Sequence, residues 1–381
     1  MWYELIPFLC IAPAFCYGLL TLACARRFFS QPVKVSGYCP PVTILKPVKG
    51  VDAESFENFS SFCEQDYPHY QIVFAVASSE DPVVPVIQHL IGAYPGVDIE
   101  LVIDGRIHGP NYKVCNLMHA YPQAKYDFLI VCDSDISVGP RYLQEVAAPF
   151  HDPAVGLVTS LYRSPRVPTV PTALEAMGFT TEMIPNVTAA LYLEGLSFAL
   201  GASMAVRREA LEKIGGFSSL VDYLADDYQL GNMVHRCGYR LELSGYFVES
   251  VMKRESLRGI LSRQLRWART MRASRPGGYL ASGITQPVPA AFLALLVSGF
   301  SLYGWIAFSF LGVSRLCCGL VFSRIFVRDN ILPRYLWLLP LRDLLAFFTW
   351  ALSFLGNRVV WRSHVFRVLP GGTILDLGKK N

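Results

Sequence analysis

The chain has 381 residues and a net charge of +4, with 52% hydrophobic and 17% charged residues. A charged share that far below the roughly 25% of ordinary soluble proteins excludes a simple soluble domain, and the small positive charge excludes a case for nucleic acid. The length suits one sizeable domain plus several membrane spans. The ten cysteines form no CxxC pair, so they read as small apolar residues in a reducing compartment and not as zinc ligands. The seven histidines are scattered and read as structural.

In chain order, residues 6–24 are apolar and about long enough to cross a bilayer. Arg26 and Arg27 follow at once. That is the reverse of a cleaved signal peptide, so 1–25 reads as an uncleaved anchor with its C-terminal side in the cytoplasm. Residues 32–41 read as a linker. Residues 41–250 form a block of alternating texture. Runs rich in β-branched residues at 42–46, 71–77, 99–103 and 128–132 predict strands. Stretches at 54–65, 84–94 and 112–121 predict helices. Strands alternating with helices predict an α/β fold with a mostly parallel sheet covered on both faces.

Residues 252–276 are different. Eight lysines and arginines from Lys253 to Arg275 alternate with Leu257, Ile260, Leu261, Leu265 and Trp267. This predicts a basic amphipathic helix lying on an anionic membrane surface. Residues 286–356 are apolar again and predict two or three spans. The stretch 288–322 is too long for one upright span, so a tight turn near its glycines divides it. Arg342 and Asp343 fall within a later span, placed to pair with each other or to line a polar interior. The tail, 357–381, carries Arg358, Arg362, Arg367, Lys379 and Lys380 and suits the cytoplasmic side.

The strongest chemical signal is Cys132-Asp133-Ser134-Asp135, directly after a predicted strand. In open α/β sheets ligands bind beyond the carboxyl ends of strands. Two carboxylates one residue apart suit a hard cation, Mg²⁺ or Mn²⁺, shared with a diphosphate; the plain alternative is a solvated acidic turn. Glu80-Asp81-Pro82 also follows a strand, and Asp-Pro is common turn chemistry. Asp226-Asp227, set between apolar residues, offers a general base, or simply acids favoured at a helix N-terminus. Arg263, Arg266 and Trp267 share a helical face, fit for phosphate oxygens or for the membrane surface. Lys113 follows Gly109-Pro110-Asn111 at a predicted helix start, which suits a phosphate or base contact.

Taken in order, LKPVKGVD (45–52), EQDYP (64–68), EDP (80–82), GPNYKVCNL (109–117), CDSD (132–135), GLVTSLY (156–162), ADDY (225–228) and RQLRW (263–267) resemble the ceramide glucosyltransferase-like family, glycosyltransferase family 21. Within it, HGPNYKV and ADDYQLG are most similar to the glycosyltransferases of bacterial hopanoid biosynthesis. The resemblance runs from about residue 39 to the tail motif at 361–373. It implies a GT-A fold, with a Rossmann-like sheet, on the cytosolic membrane face, and inverting transfer from a UDP-sugar. It implies nucleotide-sugar contacts at Asp81, Lys113, Asn116, Asp133, Arg263, Arg266 and Trp267, a metal on Asp133 and Asp135, and Asp227 as catalytic base. Asp135 stands where the animal ceramide enzymes have Gly, and residues 182–194 do not match them.

The expected function is therefore metal-dependent transfer of N-acetylglucosamine or glucose from a UDP-sugar to a lipid hydroxyl in a bacterial inner membrane. A hopanoid polyol is the first acceptor and ceramide the second. The rivals are a polysaccharide synthase, which needs more spans for a channel, and a non-catalytic multi-pass protein, which would carry its polar residues in repeated halves of the spans.

Overall fold

The structure is a computed structural model describing residues 4–31, 37–362 and 364–379. The start of the expected anchor (1–3), the first half of the linker (32–36) and Lys380 of the basic tail lie outside the described residues. The chain divides into two compact units.

The sheet unit comprises Pro32–Ser164 and Gly195–Lys253. Its strands are β1 (Val42–Pro47), β2 (Tyr70–Val76), β3 (Asp98–Ile103), β4 (Phe128–Cys132), β5 (Ile136–Ser137), β6 (Val155–Arg163), β7 (Ser203–Arg207) and β8 (Arg240–Ser250). They form one sheet in the order β3-β2-β1-β4-β7-β6-β8-β5. The four strands predicted from β-branched runs are β1 to β4, and they pair in parallel. Strand β1 is buried along its whole length, as a strand covered on both faces must be. Phe59, Phe62 and Ile87 from the helices Ser55–Cys63 and Val84–Ala93 pack on Ile44 and Phe74 of the sheet.

The register sets the site. Pro47 pairs with Ala75 and Leu45 with Val131, so the carboxyl ends of β1, β2 and β4 share one edge. Strand β7 runs antiparallel to β4, with Ser203 opposite Cys132. The residues just before β7 therefore also arrive at that edge.

The helical unit is assembled from Met1–Gln31, Pro165–Glu194 and Arg254–Asn381. Residues 165–194 thus group with the helices and not with the block 41–250 in which they fall. They form the helices Val170–Gly178 and Ile184–Leu193, joined by a wide π turn at Phe179–Met183. Their apolar residues leave the sheet and are covered by other helices instead, and the Tyr17 hydroxyl donates to Asn186 Oδ1 at 2.7 Å.

Among the described residues three helices are long and apolar enough to cross a membrane: Ile6–Phe29, Leu302–Val327 and Leu336–Ser353. A bent pair, Pro276–Thr285 with Pro287–Val297, makes a fourth only if both arms of its 57° bend count as one span. The turn expected within 288–322 falls at Gly299 and Phe300, both at positive φ. Gly312 and Arg315 leave the following helix, Leu302–Val321, unbroken. Close packing rests on small residues: Ala14, Ala290, Ala291, Ala294 and Ala307 meet around Ile11 and Leu311. Small side chains are what let apolar helices approach where lipid removes the hydrophobic drive between them.

Arg342 and Asp343 do not pair with each other, since adjacent helix positions point about 100° apart. Arg315 instead grips Asp343 with two hydrogen bonds of 2.8 Å, and Arg342 pairs with Glu182. The tail holds more order than its charge pattern implied. Strands β9 (Arg358–Trp361), β10 (His364–Val368) and β11 (Ile374–Lys379) form an antiparallel sheet.

Candidate active site

The helix Tyr112–Ala120 starts where Asn111 accepts the Val114 N–H at 3.1 Å, a side-chain N-cap. The same Asn111 amide donates to the Tyr223 carbonyl at 2.7 Å and reaches Asp226 Oδ1 at 3.4 Å. One buried side chain thus ties this helix start to the segment leading into the helix Asp226–Arg236. Lys113, on the first turn, bridges the two acidic motifs. Its Nζ lies 2.8 Å from Asp133 Oδ1 and 3.3 Å from Asp226 Oδ2. Burial alone would lower the Lys113 pKa, but the two carboxylates outweigh it and hold the ammonium well above its ordinary value.

Asp227 is half-buried beside this cluster, with the Tyr228 N–H on its Oδ1 at 2.8 Å. Burial, then the neighbouring Asp226 charge, push its pKa up to about 6, against the pull of Lys113. A carboxyl poised near neutrality is what proton abstraction at physiological pH requires. Asp135 is pushed further, to about 7, by burial and by the charges of Asp133 and Asp52. Asp52 accepts the Ser134 hydroxyl at 2.7 Å, which pins the 48–52 loop to the acidic turn. Beneath the turn, fully buried Lys46 donates to the Asp133 carbonyl at 3.1 Å and lies 3.6 Å from the Phe62 ring centroid. Its desolvation lowers its pKa against the pull of Cys132 and Asp133.

Asp81 sits at the same sheet edge. Its two oxygens accept the Gly50 N–H at 3.0 Å each, and Oδ1 also accepts the Val83 N–H at 3.0 Å. It therefore ties the loop after β1 to the loop after β2. Asn116 lies beneath them and donates to the Val48 and Ala75 carbonyls, both at 3.2 Å. The sheet unit thus brings Asp81, Lys113, Asn116, Asp133, Asp135 and Asp227 to one edge.

Arg263, Arg266 and Trp267 belong to the helical unit, on the helix Leu257–Ser274, which Ser256 caps through the Gly259 N–H. The Arg263 guanidinium grips the carboxylate of Glu175, which is buried. Arg266 lies over the rings of Trp267 and Trp361, 6.0 and 5.6 Å from their centroids. On the same helix Arg269 and Arg272 donate to the carbonyls of Arg358 and Gly356. Part of the basic face thus packs on the tail, while Leu257, Trp267 and Met271 stay exposed.

The sequence profile of Glycosyl transferase family 21 matches residues 6–374, nearly the whole chain. The protein belongs to that family. It is a glycosyltransferase, similar to ceramide glucosyltransferase 3 of Caenorhabditis elegans, at 28% identity over 98% of this chain and 82% of that protein. It is also similar to ceramide glucosyltransferase 1 of the same organism, at 25% identity over 88% and 73%. A solved structure of the mannosyltransferase PcManGT from Pyrobaculum calidifontis, in complex with GDP-Man and Mn²⁺, shares the fold. Its TM-score is 0.54 at 21% identity, covering 93% of this chain and 99% of that one. The α/β GT-A fold and the ceramide glucosyltransferase-like relationship expected from the motifs are both found.

In this glycosyltransferase several site residues carry no sequence signal of their own. Asp52 lies inside a quoted motif, yet only the fold brings it to Ser134. Gly201 matters through space: a Cβ there would lie 2.9 Å from Asp227 Oδ2. Gly231, one helical turn beyond Asp227, lies against the backbone of Phe198 and Ala199, which an added Cβ would meet at 2.4–2.7 Å. Glu175, the partner of Arg263, sits in a stretch that carries no motif of its own.

Proposed function

We propose that the enzyme transfers a hexose from a UDP-sugar to a hydroxyl of a membrane lipid, with inversion at the anomeric carbon. One observation carries this reading: Asp227, a half-buried carboxyl raised to about 6, stands beside the Lys113 bridge between Asp133 and Asp226. Asp227 accepts the proton of the lipid hydroxyl. The oxygen attacks C1 of the sugar, the C1–O bond to the diphosphate breaks, and UDP departs with that bond's electron pair. Lys113 pairs with Asp133 and Asp226 and holds them in place. Asp81 and Asn116 shape the loops after β1 and β2 on which the nucleotide would rest. By resemblance, Arg263, Arg266 and Trp267 serve the departing diphosphate, and Arg263 does so from a site already braced by Glu175.

Among the described residues no three His, Cys, Asp or Glu side chains form a metal cage of their own. Asp133 and Asp135 nevertheless fit Mg²⁺ or Mn²⁺: they supply hard oxygens, burial and the Asp133 and Asp52 charges on Asp135 outweigh the opposing Lys46 charge, and such ions take only one or two carboxylates beside substrate phosphates. When bound, the ion would neutralise charge developing on the diphosphate. Mn²⁺ with UDP is expected to raise the melting temperature of the purified protein, and Asp135→Asn to remove most of that rise.

The acceptor we favour is a hopanoid polyol. Similarity to ceramide glucosyltransferases over nearly the whole chain favours glucose and ceramide as the second reading. Three to four candidate spans among the described residues weigh against a polysaccharide channel, and acidic groups gathered in the sheet unit weigh against a non-catalytic membrane protein. We place the sheet unit on the cytoplasmic face of a bacterial inner membrane. The test is Asp227→Asn. It should lower kcat by about 10²–10⁴-fold, the usual worth of a general base, with UDP-sugar binding retained. Wild-type turnover in that variant would remove the assignment.

A further inference from the structure

Two arginines within the candidate spans of the helical unit, half-buried Arg315 and buried Arg342, differ in one respect. Arg315 is complete: Nε and Nη2 bind Asp343 and Nη1 donates to the Thr181 carbonyl at 3.2 Å. Arg342 is 6% exposed, and only its Nη2 is engaged, by Glu182. Its Nε and Nη1 are buried and meet no acceptor among the described residues. Orphaned donors on a buried cation are costly, so such a group points to a partner that arrives from outside.

The surroundings are built around this guanidinium. Gly178 lies against it, and a Cβ at that position would be 2.5–2.9 Å from its atoms. The π turn Phe179–Met183 carries Glu182, and π turns inside helices recur at functional sites. Glu182 pairs with Arg342 yet keeps its side chain 46% exposed. Asn186, four residues on, is exposed too and is held by the Tyr17 hydroxyl.

We propose that Glu182 and Arg342 form a recognition site for the neutral, hydroxyl-bearing head of a lipid. The inference rests on the lipid-acceptor reading above and names the residues that select the acceptor's chemistry. A hydroxyl donates to the Glu182 carboxylate while its oxygen accepts from the idle Arg342 N–H groups. The two cations, Arg315 and Arg342, are already balanced by Asp343 and Glu182, so an anionic phosphate head meets a carboxylate with no spare positive charge. A polyol or an amide-and-hydroxyl head fits; a phospholipid head does not.

The test is native mass spectrometry of the full chain in detergent, titrated with a long-chain monoacylglycerol and, separately, with phosphatidic acid of the same chain length. The expected result is a saturable monoacylglycerol adduct whose apparent Kd rises tenfold or more in Glu182→Gln and in Arg342→Gln. Arg324→Gln, at an exposed pair with Asn330, should leave that Kd unchanged. An unchanged Kd in the Glu182 and Arg342 variants, or preference for phosphatidic acid, would overturn the site. Glu182→Gln keeps the test decisive if Arg342→Gln fails to fold, as judged by thermal melting. UDP-sugar hydrolysis in the same preparations reports on the transfer reading alone. Glu182-dependent adducts on a protein that never hydrolyses donor would keep the site and remove only that reading.

Discussion

Lys113 is the residue on which the charge balance of the sheet edge turns. It stands between Asp133 and buried Asp226, at 2.8 and 3.3 Å. Replacing it with Met removes the positive charge that pairs with both carboxylates and leaves buried Asp226 without it. Breaking one partner of such a pair costs about 3–5 kcal/mol. Lys113→Met should therefore lower the melting temperature clearly in calorimetry, and Lys113→Met with Asp226→Asn should recover part of the loss. Asp227 gives a second prediction at this scale. As a base it must be ionised, so kcat should rise with pH through about 6 and then level. The stability sign is opposite: a carboxyl raised above its unfolded value favours the fold at low pH and gives up that contribution as pH climbs through about 6. A pH–rate profile with the limb at pH 4, the value of a free aspartate, would contradict the burial argument.

At the scale of elements, the helix Asp226–Arg236 is seated by glycine. Gly231 shares a face with Asp227, since residues four apart lie one above the other. It presses on the 198–199 backbone, and Gly201 of the same segment lies against the Asp227 carboxylate. A methyl group at Gly231 must push the whole helix away and carry Asp227 with it. Gly231→Ala should lower kcat at least tenfold while the far-ultraviolet circular dichroism stays unchanged, because sub-ångström to ångström misplacement of a base is enough to cost that much. Gly201→Ala should act in the same direction.

Much of this architecture was legible at the level of elements, for reasons that are local. Strands β1 to β4 announce themselves because strands buried on both faces are near-continuous runs of Val, Ile, Leu and Phe. The helix at 112–120 shows through its Asn cap. Contacts made across long sequence distances left no such trace. Asp52 with Ser134, Gly201 with Asp227 and Arg263 with Glu175 depend on where separate segments land. The antiparallel entry of β7 beside β4 was not visible in its short small-residue run, nor was the sheet in the tail, where charged residues alternate with Val, Phe and Ile over only a few positions.

Taken as a whole molecule, the helical unit is held by paired charges as well as by apolar packing. Asp343→Asn strips the counter-charge from Arg315 inside a candidate span. Its expected cost is again about 3–5 kcal/mol, read as earlier unfolding in detergent, with UDP binding by the surviving folded fraction unaffected. Rescue by the double change of Arg315→Leu with Asp343→Leu would agree with the usual result that apolar replacement of a buried pair is tolerated.

The interleaving of the two units has a consequence for how the polypeptide is made and handled. Residues 165–194 leave the ribosome well before most of the helices that cover them, those of 254–381, so an oily helical segment must wait, shielded by bilayer or chaperone, until its neighbours are synthesised. No single protease cut releases the sheet unit intact. A soluble fragment for crystallisation, if trimmed only at its ends to 37–253, should therefore precipitate. The same fragment with 165–194 exchanged for a short glycine-serine tether should stay in solution.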